Sequence, residues 1–203
     1  MKLPPLRLQH GLLFAVVALL FFAWGAWLVR GPQPAEPLPW LAEWQLQVFE
    51  PLAEERLQLA ELRALVAGEL WLQPHPDGAR LLYRGEWLAA GEPWRLEAEL
   101  ALSEAERGSL MTAAGLAADG AAQPLADSLL AQLGRQAVVG LSLVPRQGLD
   151  VARLAASLGQ PRLRLQLEAG EAWIYPRLGL SVHSEDEQLR LLQVVPRRAL
   201  RAH

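Results

Sequence analysis

From Gly11 to Val29 the chain carries no charged residue, reading GLLFAVVALLFFAWGAWLV. Wound as a helix at about 1.5 Å per residue, that run is about 28 Å long, against a bilayer core of about 30 Å. A segment apolar on every side has no polar face to show water, and nothing else constrains the fold as tightly. The run predicts a single transmembrane helix over 11–29. A secretory signal has a shorter apolar region, about 7–15 residues, closed by a small-x-small cleavage site. No A-x-A follows here, so the helix is expected to remain as an uncleaved anchor. Lys2 and Arg7 precede it, while Arg30 follows alone, ahead of Glu36 and Glu43. The positive-inside rule then makes residues 1–10 a cytoplasmic tail and puts the rest on the far side of a bacterial inner membrane, in the periplasm. Trp24 and Trp27 fall near the outer end, at the level where amphipathic rings favour the headgroups.

Charge and composition narrow the function. The net charge is −3, and the two earliest basic groups, Lys2 and Arg7, precede the apolar run. The remainder is therefore more acidic still, a poor match to nucleic acid, whose binding needs clustered Lys and Arg. Lys2 is the only lysine, which points to arginine-favouring, GC-rich coding. No cysteine is present. Disulfides, thiolate catalysis and a lipid-modified N-terminal cysteine are excluded.

Residues 30–39, RGPQPAEPLP, hold four prolines and predict a stiff extended linker. Residues 40–203 then predict one α+β domain of antiparallel β-meanders and short helices, with possible sub-units 40–102 and 103–203. WLAEWQLQVFE places Trp40 and Trp44 four apart on one helical face. PLAEERLQLAELRALVAG reads as one helix, with Pro51 in its first turn, Gly68 past its end, and Leu52, Leu59, Leu62 and Val66 at helical spacing. GELWLQP, ARLLYRGEWLA and WRLEAELAL follow as strands. In the last, Trp94, Leu96, Ala98, Leu100 and Leu102 alternate with Arg95, Glu97 and Glu99, the pattern of a sheet with one buried face.

Ser103 and Glu106 form a capping box for a helix weakened by Gly108 and Gly115. PLADSLLAQLG predicts a second helix and QAVVGLSLVP a strand. LDVARLAASLG places Val151, Leu154, Ala155 and Leu158 on one stripe, between an Asp150 N-cap and Gly159. RLRLQLE, EAWIYP, RLGLSV and QLRLLQVV then predict a second meander.

The stretch LGQPRLRLQLEAGEAWIYPRLGLSV resembles the ending of the SmpA/OmlA (BamE-like) outer-membrane assembly lipoproteins. The likeness rests on Leu158, Gly159 and Pro161, a helix closed by LG-x-P, and on Trp173 and Tyr175, a W-x-Y return strand. It covers the C-terminal quarter of the chain. The resemblance implies a small α+β module used for protein–protein contact, with no catalytic residues to carry over. The chain departs from the family in lacking the lipid-modified cysteine.

The candidate chemistry is sparse. His75 in PHPDG has no ligand partners at suitable spacing and reads as a turn residue. His183 stands beside Ser184, Glu185 and Asp186, but a Ser–His–acid relay is built in space, and strand neighbours point to opposite faces. The run Glu185–Asp186–Glu187 lacks the spacing and glycine of a calcium loop and reads as a polar turn. Arg197, Arg198 and Arg201 read as a solvated tail. No catalytic residue, metal site or cofactor is expected.

The aromatic residues are the remaining candidates. Trp71, Trp87, Trp94, Trp173 and Tyr175 are either core or an exposed contact surface. The expected function is a membrane-anchored periplasmic accessory or scaffold protein of an envelope complex. Its partners would be other envelope proteins and, through the N-terminal helix, the bilayer; nucleic acid is not expected. The alternatives are a bitopic subunit of a secretion or pilus machine, or a periplasmic module that binds lipids or other hydrophobes.

Overall fold

A computed structural model describes residues 8–29, 35–115, 117 and 120–200. Lys2, Arg7, residues 30–34 of the proline-rich linker, Arg201 and His203 lie outside the described residues. The chain divides into two compact units, Met1–Ala35 and Glu36–His203.

The first unit contains helix α1 (Leu8–Val29). Its large apolar side chains stand exposed, Phe14 and Phe22 among them. No helix among the described residues is long and apolar enough to cross a membrane. That finding corrects the expected transmembrane helix over 11–29.

The second unit is an α+β body. Helix α2 (Leu41–Trp44) runs through a wider π-type turn (Gln45–Phe49) into α3 (Glu50–Ala53), and α4 (Leu59–Leu65) follows. The helix expected to run unbroken through PLAEERLQLAELRALVAG is interrupted. Glu55 takes a left-handed φ of 62°. Leu57 is buried there, and its carbonyl accepts from Val138 N at 2.9 Å. A backbone bond to a distant strand outweighs the propensity of the intervening residues to stay helical. The Gln58 amide donates to Glu61 Oε2 at 2.8 Å, restarting the helix.

Three strands, β1 (Gly68–Gln73), β2 (Arg80–Ala89) and β3 (Glu92–Leu100), make the first meander. Helix α5 (Glu104–Ala114) follows, opened by the Ser103–Glu106 capping box and ended by Gly115 at φ 60°. Then come β4 (Gln123–Pro124), α6 (Ser128–Gln132), β5 (Val138–Pro145) and α7 (Val151–Leu158). The second meander is β6 (Leu163–Gln166), β7 (Glu171–Tyr175), β8 (Leu180–Glu185) and β9 (Gln188–Val194). All nine strands lie in one antiparallel sheet, ordered β4-β1-β2-β3-β5-β9-β8-β7-β6. Strand β5 joins the halves, pairing with β3 on one side and, through Leu141 and Leu143 opposite Val194 and Leu192, with β9 on the other.

The core follows the alternation in the sequence. Trp94, Leu96, Ala98 and Leu100 are buried, while Arg95, Glu97 and Glu99 are not. These four pack in one cluster with Leu141, Leu143, Val182 and Leu192 from the sheet, and with Leu41, Phe49, Leu62 and Leu154 from the helices. On the opposite face Arg84 pairs with Glu97 at 2.7 Å, and Arg80 donates to Glu99 at 3.1 Å. Helix α7 is capped as its sequence predicts, Asp150 Oδ1 accepting from Ala152 N at 2.7 Å.

Candidate functional site

The aromatic candidates divide between interior and surface. Trp94 is 0% exposed. Its ring centroid lies 5.2 Å from that of Trp40, which lies 4.8 Å from Trp87. Trp87 in turn stacks on Trp44 at 3.7 Å. This is an internal aromatic cluster that clamps α2 to the β2–β3 hairpin. Trp173 and Tyr175 are likewise buried, the Tyr175 hydroxyl donating to Gly159 O at 3.0 Å. Trp71 is half-buried on the other face of the sheet, with the Arg84 guanidinium 5.2 Å from its ring. Trp24 and Trp27 lie on α1, 57% and 68% exposed.

The polar candidates resolve into structural roles. Asp186 and Glu187, at φ 51° and 61°, form the two-residue turn of the β8–β9 hairpin. Glu185 pairs with Arg190 at 3.1 Å. His183 lies opposite Ala172 and Leu191 in the sheet. The His75 imidazole accepts from Asp77 N at 3.3 Å, within its own turn. Among the described residues no group of His, Asp and Glu is arranged to hold a metal ion. The basic tail is not a free end at its start. Arg197 N donates to Ala53 O at 3.0 Å, and Arg198 pairs with Glu55 at 2.9 Å.

The two tyrosines of the chain are both held neutral by burial, which raises the Tyr83 and Tyr175 phenols above the ordinary value of 10.0. The folded state therefore keeps phenolic protons that the unfolded chain releases. Stability from this source is complete below the unfolded value and is lost as the pH rises through the folded ones. An alkaline titration should show tyrosinate absorbance appearing together with loss of the circular dichroism signal. Ionisation of both phenols ahead of unfolding would contradict their burial.

The surface that remains is built around β6. This strand pairs with β7 and with no other strand, so it forms one end of the sheet. All four of its residues are exposed. Leu163, Leu165 and the following Leu167 are 49%, 43% and 41% exposed and share one face. The alternation of RLRLQLE predicts a buried leucine face, but no layer covers that face here. Arg164 lies on the other face, its guanidinium 4.6 Å from the Trp173 ring and bonded to Gln160 Oε1 at 3.1 Å. Beside the start of β6 is a cleft of about 480 Å³, whose walls include Arg162, Arg177, Arg197, Tyr175 and Glu50. Sequence reasoning missed this arrangement. Its one local signal is the Arg/Leu alternation directly after Pro161, which keeps helix α7 from continuing.

Comparison with protein-family models, curated proteins and solved structures finds no match for this chain.

Proposed function

We propose that this chain is a non-catalytic accessory or scaffold protein of a bacterial envelope complex, acting by protein–protein contact. The observation that carries the reading is the open β6 edge. Sheets blunt their edges with short strands, prolines or cover, because unpaired backbone recruits other strands. The opposite edge, β4, is two residues long and ends on Pro124. Strand β6 has no proline and no covering layer, and it shows a row of leucines. The resemblance of LGQPRLRLQLEAGEAWIYPRLGLSV to an envelope assembly module supports the same reading. Helix α1 adds a second contact of a different kind, since its exposed phenylalanines and leucines suit lipid or an apolar protein surface.

A photo-crosslinking residue at Leu165 in the full-length chain, in cells, should give a discrete adduct. The same residue at Leu88, exposed on β2 well away from β6, should not. Equal labelling from both positions, or none from Leu165, contradicts the proposal.

A further inference from the structure

We infer that the β6 edge takes up an extended acidic segment of a partner protein as an added strand, its acidic residues alternating with apolar ones. The inference rests on the contact reading above and specifies the chemistry of the partner.

The backbone comes first. The Leu167 amide donates to Gly170 O at 3.0 Å, in register with the β6–β7 pairs. Antiparallel bonding alternates along a strand, so Leu163, Leu165 and Leu167 bond toward β7. The amide and carbonyl groups of Arg164 and Gln166 then face away from the sheet, where an incoming strand would meet them.

The side chains set the partner's pattern. One face of β6 offers Leu163 and Leu165, which suit apolar residues. The other offers Arg164, while Arg162, just before the strand, and Arg177 are on the cleft wall. Among the described residues no carboxylate forms an ion pair with Arg162, Arg164 or Arg177, whereas Arg197 is engaged by Glu54 at 3.1 Å. Glu50 is the only acid on the cleft wall. Glu171, on β7 opposite Gln166, is occupied in part by the Trp173 indole at 2.9 Å. Three arginines against these two acids make a local positive surface on a chain of net charge −3.

Charge also argues against a second copy of this chain as the occupant. Antiparallel pairing of β6 with itself would bring the arginines of both copies onto one face, and like charges across a pair destabilise it. An acidic strand removes that repulsion and answers three arginines that the fold leaves without ion pairs.

The test uses the full-length chain and the dye-labelled peptide acetyl-(Glu-Val)3-amide, read by fluorescence anisotropy, with acetyl-(Lys-Val)3-amide as the counterpart. The acidic peptide should bind and the basic one should not. The double substitution Arg162→Glu/Arg164→Glu should weaken binding about tenfold or more. Gln166→Pro should do the same without changing charge, since it deletes an amide that faces outward; the backbone bonds to β7 stay in place, and only the Gln166 Nε2 bond to Gly170 O is lost with it. Circular dichroism confirms that each variant is folded. Should the charge reversal unfold the chain, Gln166→Pro and the basic peptide still decide the matter. Equal binding of both peptides, indifference to Gln166→Pro, or no binding of the acidic peptide overturns the inference. If the Leu165 adduct persists while any of these is seen, the contact reading stands and only the acidic-strand assignment falls. Loss of the adduct as well removes both.

Discussion

Replacing Trp94 with alanine is expected to destabilise the fold by about 3–5 kcal/mol, the range for truncating a buried large aromatic. Trp94 is fully buried and closes the contact between β3 and Trp40. Through Trp40 and the Trp44–Trp87 stack it fixes where the N-terminal helices sit on the sheet. Nothing adjacent is flexible enough to fill the space, because the neighbouring rings are themselves packed edge to face. Among the described residues the indole N–H groups of Trp94 and Trp40 have no hydrogen-bond partner. The loss is thus one of packing, with no hydrogen bond forfeited. Urea unfolding followed by far-UV circular dichroism measures the change. Near-UV dichroism should change too, since the ring stack at 3.7 Å loses its support. Trp71→Ala is the control: this half-buried ring on the opposite face should cost clearly less. Equal losses at the two positions would show that the aromatic cluster does not organise the core.

Gly170→Ala is expected to cost about 2 kcal/mol or more, from the strain of a left-handed backbone plus a steric clash. Gly170 turns the β6–β7 hairpin at φ 84°. A Cβ there would run into the carbonyl oxygen of Ser184, a backbone atom of the neighbouring strand. Neither problem can be relieved by a side-chain rotation. The turn must shift, and β6 has only β7 to hold it. Amide exchange should therefore quicken at 163–167 before it quickens in β3. Unchanged exchange at those amides, with unchanged urea stability, would falsify this account of the turn.

The sequence made legible what neighbouring residues decide. The period-two run Trp94–Leu100 and the stripe of α7 between Asp150 and Gly159 both appear in the structure where the pattern puts them. Helix continuity through Glu55 did not follow from local pattern, because Leu57 is drawn out by Val138, far along the chain. The same holds for the tryptophans. Trp40 and Trp44 are legible as a helical pair, but their packing on Trp87 and Trp94 depends on how α2 lies against a hairpin that comes later in sequence. The β6 surface is the sharpest case. Alternation says that a strand has two faces, yet whether either is covered depends on the position of that strand in the sheet. RLRLQLE falls at the end, and its leucines stay in water. The apolar N-terminal run misled in the opposite direction, since length and hydropathy read from residues alone imply a span that the described helix does not supply.

The place of β9 has a consequence for biogenesis. The last of the described strands lies inside the sheet, fourth from the β6 edge and next to the central β5, and supplies the link between β5 and the C-terminal meander. A nascent polypeptide leaving the ribosome can complete β1 to β3 and β5 early, but it holds an unfilled seam along β5 until Val194 emerges. Closure waits for β9, so a chaperone or translocation factor that binds the chain before β9 emerges would meet its central seam still open.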